Sequence, residues 1–244
     1  MKERLDIEMV ERGLVDTRNM AQRLIDDMKV RVNGSIETKC HKIVDTEDEI
    51  SVDFTNVFVS RGGDKLQYAL NFFKIKVKDF VCLDVGASTG GFTDCLLQNG
   101  ANRVYSVDVG ENQLAEKLKQ NEKVVSFENV DIRELKDLKE LVDLIVVDVS
   151  FISIEKILAN LAKFLKKDGL VVFLIKPQFE IQGNKNKQGK IVNEEMIFDK
   201  IVEIKKLVTD NGYQIVDFVA SPILGKKGGN VEYLLYAKKI NLTE

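Results

Sequence analysis

The chain has 244 residues, 44% hydrophobic and 31% charged, with 36 basic and 39 acidic side chains, the balance of a folded protein of one or two domains. The longest apolar run, Leu170 to Ile175, falls far short of the roughly 18 to 20 residues that span a bilayer. Three scattered cysteines (Cys40, Cys82, Cys95) and one histidine (His41) exclude a disulfide framework, a zinc site and most histidine-based acid–base schemes. No membrane and no metal are therefore expected. A cytoplasmic location is expected too, because MKERLDIEMVERG alternates charge with apolar residues where a secretory signal needs an unbroken apolar stretch.

Residues 1–54 read as a small α+β module. Leu5, Met9 and Val10 form one helical stripe that Gly13 can end. Thr17 is an N-cap for a second helix, with Ala21, Leu24, Ile25 and Met28 on its apolar face and Arg18 and Arg23 off it, toward solvent. Val30-Arg31-Val32 runs into Asn33-Gly34, a type I′ hairpin signal, and Ile50-Ser51-Val52 supplies a closing strand. Charge is segregated within this module. Thr17 to Lys42 holds six bases (Arg18, Arg23, Lys29, Arg31, Lys39, Lys42) against three acids, whereas Ile43 to Asp53 holds five acids and no base. A basic face beside an acidic one suits an anionic partner better than the net charge of −3 suggests.

The module resembles the small RNA-binding domain named after ribosomal protein S-four. The matching residues are Arg4-Leu5-Asp6, Glu11-Arg12-Gly13, Arg18, Ala21 to Ile25 and Val32-Asn33-Gly34. One departure bears on geometry: members commonly have Gly where this chain has Met28.

A linker over 55–60 leads into 61–244, where strand and helix alternate and imply a mostly parallel, doubly wound α/β sheet. Strands are expected at Phe80–Leu83, Val104–Val107, Val124–Phe127, Leu144–Val147 and Leu170–Ile175, with a helix over Ile154–Leu165 and a final pair at Gln214–Val219 and Val231–Ala237.

The Gly-rich stretch Asp84-Val85-Gly86-Ala87-Ser88-Thr89-Gly90-Gly91 turns the chain from strand to helix, where free backbone N–H groups favour a polar or anionic group. It lacks the G-x-G-x-x-G spacing of dinucleotide sites. Asp108, 22 residues beyond Gly86 at the end of the second strand, is placed to accept from ribose hydroxyls. Asp131 follows the third strand, facing a base amino group, and Asp148 ends the fourth. Carboxylates at successive strand ends share one crevice. The pattern resembles the Rossmann-like class I fold of S-adenosylmethionine-dependent methyltransferases. That resemblance implies S-adenosylmethionine as cofactor, with Asp84, Gly86, Ala87, Ser88, Gly90, Asp108, Val109, Asp131, Ile132 and Asp148 around it.

Lys176 follows a six-residue apolar run, a costly place for a cation without a partner. Asp148, Lys65 and Glu232 can complete a Lys-Asp-Lys-Glu cluster. No cysteine follows the fourth or fifth strand to serve base-carbon methylation, and Asp148-Val149-Ser150-Phe151 is not the proline-bearing loop of amino methylation. An oxygen acceptor remains. Whether Lys176 acts as base or as positioning ammonium is open; the base role requires a fall from about 10.4 toward 7 to 8.

The tetrad resembles the FtsJ-related ribose 2′-O-methyltransferases. Over Arg4 to Lys238, with VSRGGDKL, DVGASTGGFTD, VVDVSF, IKPQFE and NVEYLL, the chain resembles the TlyA family. That resemblance implies Lys65, Asp148, Lys176 and Glu232 as catalytic residues and cytidine ribose in ribosomal RNA, within ribosomal subunits, as the acceptor. The RNA footprint is expected at Arg4, Arg18, Arg23, Lys29, Arg31, Lys39, Lys42, Arg61, Lys185, Lys187 and Lys190, with Lys226 and Lys227 adding a further basic loop and Phe151 and Phe179 as candidates to stack on the target base. The family's older haemolysin label finds no membrane segment here. Two other readings stay open: a ribosome-assembly factor with an inactive methyltransferase fold, which the intact tetrad opposes, and a small-molecule O-methyltransferase, which leaves the RNA-binding module unexplained.

Overall fold

The chain divides into two units, Met1–Val57 and Phe58–Glu244. The computed structural model describes residues 2–54, 57–150, 152–181, 183, 186–187, 189–191, 193–225 and 228–240, so Phe151, Lys185, Lys226 and Lys227 lie outside the described residues. Val57 joins the first unit's core and Phe58 the second's.

In the first unit, β1 (Lys2–Arg4) pairs antiparallel with β4 (Ile43–Asp45), and β2 (Val30–Val32) pairs with both β3 (Ser35–Ile36) and β5 (Ile50–Val52). Helices α1 (Leu5–Glu11) and α2 (Arg18–Asp26) cover a core of Leu5, Met9, Ala21, Leu24, Ile25, Val30, Val32 and Val44. Thr17 caps α2 by accepting from Met20 N at 3.2 Å. The hairpin turns through Asn33 (φ 50°) and Gly34 (φ 80°), as a type I′ turn requires.

Both helices end in a Schellman motif. After α1, Gly13 N–H donates to Val10 O and Leu14 N–H to Met9 O; after α2, Met28 N–H donates to Ile25 O and Lys29 N–H to Leu24 O. The left-handed residue is Gly13 (φ 67°) in the first and Met28 (φ 57°) in the second. Met28 was expected on the apolar stripe, yet it is 61% exposed, because the chain has already left the helix. A side chain here carries the left-handed penalty and gains no burial. Met28→Gly is therefore expected to stabilise the unit by about 1 kcal/mol, the steric penalty outweighing the extra unfolded-state freedom of glycine. Amide hydrogen exchange on the full chain checks this: α2 and β2 should exchange about fivefold more slowly in the variant.

The second unit carries a seven-stranded sheet built from β6 (Val81–Val85), β7 (Arg103–Val107), β8 (Val124–Phe127), β9 (Val142–Val147), β10 (Leu165–Ile175), β11 (Tyr213–Ala220) and β12 (Tyr233–Lys239), in the order β11-β12-β10-β9-β6-β7-β8. Six strands run in one direction, and β12 alone is reversed, lying antiparallel between β10 and β11. Alternation along β6 sets the layers. Val81, Leu83 and Val85 face a core with Ile145, Ile157 and Phe173, while Cys82 faces the other with Leu66, Phe92 and Leu96. That second layer holds α3 (Arg61–Phe72), capped by Ser60, and α4 (Gly91–Gln98). The longest helix, α8 (Glu194–Asp210), packs on β11, and the short α5 (Glu116–Lys119) precedes β8.

Two expected boundaries change. The helix expected to run to Leu165 is α6 (Glu155–Leu161), followed by a 3-10 turn at Ala162–Phe164, and β10 begins at Leu165 because a register shift before Leu170 absorbs Asp168 (φ 61°) and Gly169. Asp84, expected in the turn, lies within β6.

Candidate active site

The strand order reverses between β6 and β9, the switch point at which open α/β sheets leave a crevice beyond their carboxyl ends. A cleft of about 370 Å³ opens there, within the size range of small-molecule sites. Its walls come from the segments after β6 (Gly86, Ser88), β7 (Asp108, Val109, Gln113), β8 (Val130, Asp131, Ile132) and β9 (Asp148, Val149, Ser150, Ile152), with Ile157 of α6. Gly86 (φ 84°) must be glycine: a Cβ would stand 2.7 Å from the Asp148 carbonyl oxygen.

The expected cofactor residues separate into two groups. Gly86, Ser88, Asp108, Val109, Asp131, Ile132 and Asp148 line the cleft; Asp84, Ala87 and Gly90 do not. Gly90 (φ 92°) instead starts α4, where a Cβ would meet Leu118 at 2.3 Å and Leu114 at 2.7 Å. Ala87 borders a smaller void beside Leu114 and Phe127. Asp84 is fully buried, pointing from β6 into the α4 layer rather than off the strand end; its Oδ2 accepts from Thr93 Oγ1 at 2.7 Å, and its Oδ1 has no hydrogen-bond partner among the described residues. Burial pushes its pKa up to about 7, against the Thr93 hydrogen bond, and the charge of Asp148 adds to the rise.

Asp108 is held rigidly, Oδ2 accepting from Ser88 N and Oδ1 from Gly110 N, both at 2.7 Å. Each oxygen keeps a lone pair for a ligand hydroxyl. Gln113 bridges to the Gly-rich loop through Ser88 Oγ at 3.1 Å. Asp131 is gripped by the Arg133 guanidinium (Nη2 to Oδ2, 2.5 Å), which holds its pKa below the usual carboxylate range, so its capacity to face a base amino group is shared with that arginine.

The four tetrad residues form two ion pairs. Lys176 Nζ lies 2.5 Å from Asp148 Oδ1, donates to Ser150 Oγ at 2.8 Å and stands 5.7 Å from the centre of the Phe179 ring. Lys65 Nζ, from α3, donates to Glu232 Oε2 at 2.5 Å, with both residues buried. Register brings these elements to one end of the sheet: Ile175 pairs with Tyr233 across β10 and β12, so Lys176 and Glu232 are the next residues outward on neighbouring strands. Glu232 also accepts from Gln178 Nε2 at 2.9 Å. Gln178 follows Lys176 in α7 (Pro177–Glu180). Ser150, Gln113 and Gln178 carry no charge and match no spacing rule, so sequence reasoning passed over them.

The basic residues of the first unit are unevenly available. Asp6, fully buried, accepts from Arg4, Arg18 and Gln22. Burial acts to raise its pKa, but those three donors outweigh it and hold the carboxyl below the usual range. The Arg4 and Arg18 side chains remain 36% and 50% exposed. Arg23, expected toward solvent, is only 12% exposed and reaches Asp27 at 3.6 Å, because its position on α2 borders the core stripe. Lys29 pairs with Asp53 and Lys42 with Glu37; Arg31 and Lys39 are exposed. In the second unit Arg61, Lys187 and Lys190 are exposed. Among the described residues no helix is long and apolar enough to cross a membrane, and no group of three His, Cys, Asp or Glu side chains is placed to hold a metal ion.

This sheet order, with a carboxylate-lined cleft at the switch point, defines a methyltransferase fold. Residues 58–239 match the FtsJ-like methyltransferase family and residues 3–50 the S4 domain. The chain is 38% identical over 240 residues to the Mycobacterium tuberculosis protein named 16S/23S rRNA (cytidine-2'-O)-methyltransferase TlyA, covering 96% of this chain and 89% of the relative. It is 34% identical over 247 residues to the Campylobacter jejuni 23S rRNA (cytidine-2'-O)-methyltransferase TlyA, covering 93% and 96%. A solved structure named as a hemolysin from Streptococcus thermophilus superimposes with a TM-score of 0.75 at 38% identity, covering 98% of this chain and 89% of that one. The chain belongs to the TlyA family, an S4 domain joined to an FtsJ-like methyltransferase domain.

Proposed function

We propose that the protein transfers a methyl group from S-adenosylmethionine to the ribose 2′-hydroxyl of a cytidine in ribosomal RNA, acting in the cytoplasm. The observation that carries this reading is the pair of ion pairs, Lys176–Asp148, whose Asp148 lines the cleft, and Lys65–Glu232, brought beside it by the register of β10 and β12. The names of the two TlyA relatives support the acceptor. The residues fit the cofactor: rigid Asp108 suits ribose hydroxyls, Val130, Ile132, Ile152 and Ile157 give an apolar berth for an adenine ring, and Gly86 leaves the cleft floor open. When bound, S-adenosylmethionine supplies a methyl group already activated on a sulfonium.

What remains for the protein is placement. Lys176 donates to Ser150 and is held by charge beside Asp148, which leaves N–H donors for the acceptor oxygen. With S-adenosylmethionine bound, Lys176 would orient the acceptor hydroxyl oxygen and the Asp148 carboxylate would take its proton, the cofactor giving up its methyl group and leaving as the neutral thioether. Labelled S-adenosylmethionine incubated with small and large subunits lacking the modification, followed by nucleoside analysis, tests the reading: 2′-O-methylcytidine is expected, and no transfer to either subunit refutes it.

The first unit would supply the electrostatic grip. Arg18→Ala is expected to weaken subunit binding and reduce the slope of log affinity against log salt by about one. Arg23→Ala, already buried and paired, should leave that slope unchanged. Equal slopes for Arg18→Ala and wild type would remove Arg18 from the footprint.

A further inference from the structure

We propose that Gln178 is a positioning residue for methyl transfer, fixing Glu232 so that the Lys65–Glu232 pair stays aligned with Lys176. The proposal rests on the catalytic reading of the four charged residues above. Glu232 is 3% exposed, and its two oxygens are taken by different elements: Oε2 by Lys65 from α3, Oε1 by Gln178 from α7. A third side is closed by Gly225, where a Cβ would stand 2.5 Å from Glu232 Oε1 and 3.2 Å from Gln178 Nε2. Two donors from separate elements and a backbone wall leave the carboxylate one orientation.

The chemistry of the amide matters. An ionised carboxylate only accepts, so Gln178 must turn its NH2 toward Glu232. The amide oxygen is then left buried without a partner among the described residues, in a side chain only 5% exposed. Such orphaned acceptors are uncommon and call for a reason. Here the reason is that the donor on Glu232 is worth more than satisfaction of the amide oxygen. An apolar side chain would strand Glu232 Oε1, and a cation would add a third positive charge beside Lys65 and Lys176. Gln178 lies two residues beyond Lys176 on the same short segment, so one turn of backbone carries both the lysine of one ion pair and the neutral donor to the other.

The test compares full-length wild type, Gln178→Met, Gln178→Glu, Glu232→Ala and Lys176→Ala in transfer of labelled methyl to the acceptor subunit, with S-adenosylmethionine affinity by calorimetry. Gln178→Met, of similar volume but without the donor, is expected to lose about 10- to 100-fold in kcat, the scale of a misplaced catalytic group. Cofactor Kd and subunit KM should stay within about twofold. Gln178→Glu gives the sharper readout. When protonated, it can still donate to Glu232; when ionised, it repels it. Its rate relative to wild type should fall steadily as pH rises from 6 to 9, whereas the Gln178→Met ratio should be flat. A side chain that merely packs would not move the pH profile. Wild-type kcat in Gln178→Met, a pH profile in Gln178→Glu that tracks wild type, or a loss confined to binding overturns the proposal. If Gln178→Met does not fold, the Gln178→Glu profile decides alone. Inactive Glu232→Ala and Lys176→Ala beside fully active Gln178 variants would overturn this inference only; active Glu232→Ala and Lys176→Ala would overturn the catalytic reading and this inference together.

Discussion

Lys176→Ala is expected to abolish methyl transfer, by at least about a thousandfold, while S-adenosylmethionine affinity changes by less than about twofold. The rate loss has two sources. The substitution removes the donor that would orient the acceptor oxygen, and it leaves Asp148 Oδ1, a buried atom, without the ammonium 2.5 Å away. Orientation alone supplies several powers of ten in a reaction of this kind. Cofactor affinity should survive because Lys176 is not among the residues lining the cleft, whereas Asp108, Val109 and Ile132 are. Single-turnover transfer and calorimetry on the same preparation separate the two effects. Parallel loss of rate and binding would assign Lys176 to cofactor retention instead.

The second large effect concerns stability. In the fold Asp84 keeps its proton up to about pH 7 because burial penalises its charge, whereas in the unfolded chain an aspartate ionises near 3.9. Between those values the folded state binds more protons than the unfolded state, so this residue's contribution to stability declines as pH rises through the window and levels off above it. About three units at 1.36 kcal/mol each set a ceiling of about 4 kcal/mol. Asp84→Asn keeps an acceptor for Thr93 and cannot ionise. The variant should exceed wild type in stability at pH 8 by a few kcal/mol, with the difference vanishing near pH 4 to 5. Asp6 acts in the opposite sense: its carboxyl is depressed by its three donors, so its contribution is lost only in acid and does not enter the window. Denaturant unfolding of the two proteins at pH 5, 6, 7 and 8 checks this; parallel curves would mean that Asp84 is ionised in the fold.

Much of this was legible in the residues, for reasons that differ by element. Asn33-Gly34 announced its turn because few residue pairs adopt positive φ at both positions, and the parallel strands showed themselves as apolar runs because both their faces are buried. The Lys176–Asp148 ion pair was legible because a lysine after six apolar residues demands a partner. Other features depend on where the chain stops being regular. Met28 has the spacing of a core residue, but α2 ends at Asp26 and the next turn reverses the direction of its side chain. Asp84 sits in a loop signature, yet the strand runs on to Val85 and sends it into the helix layer instead of the cleft. Neutral partners such as Ser150 and Gln178 left no trace in pattern or charge, since what singles them out is only what they touch.

The placement of β12 between β10 and β11 has a bearing on how the enzyme comes into being. All residues lining the cleft have been made once the growing chain passes Ile157, but Glu232 comes 167 residues after its partner Lys65. The strand that delivers it must slot between two that are synthesised earlier. β11 therefore cannot dock on β10 in advance without occupying the place of β12, and a slip of one residue during insertion would turn Glu232 to the wrong face. The nascent chain thus carries every lining residue of the cleft before it carries Glu232, and the Lys65–Glu232 pair can form only with the last strand to be threaded.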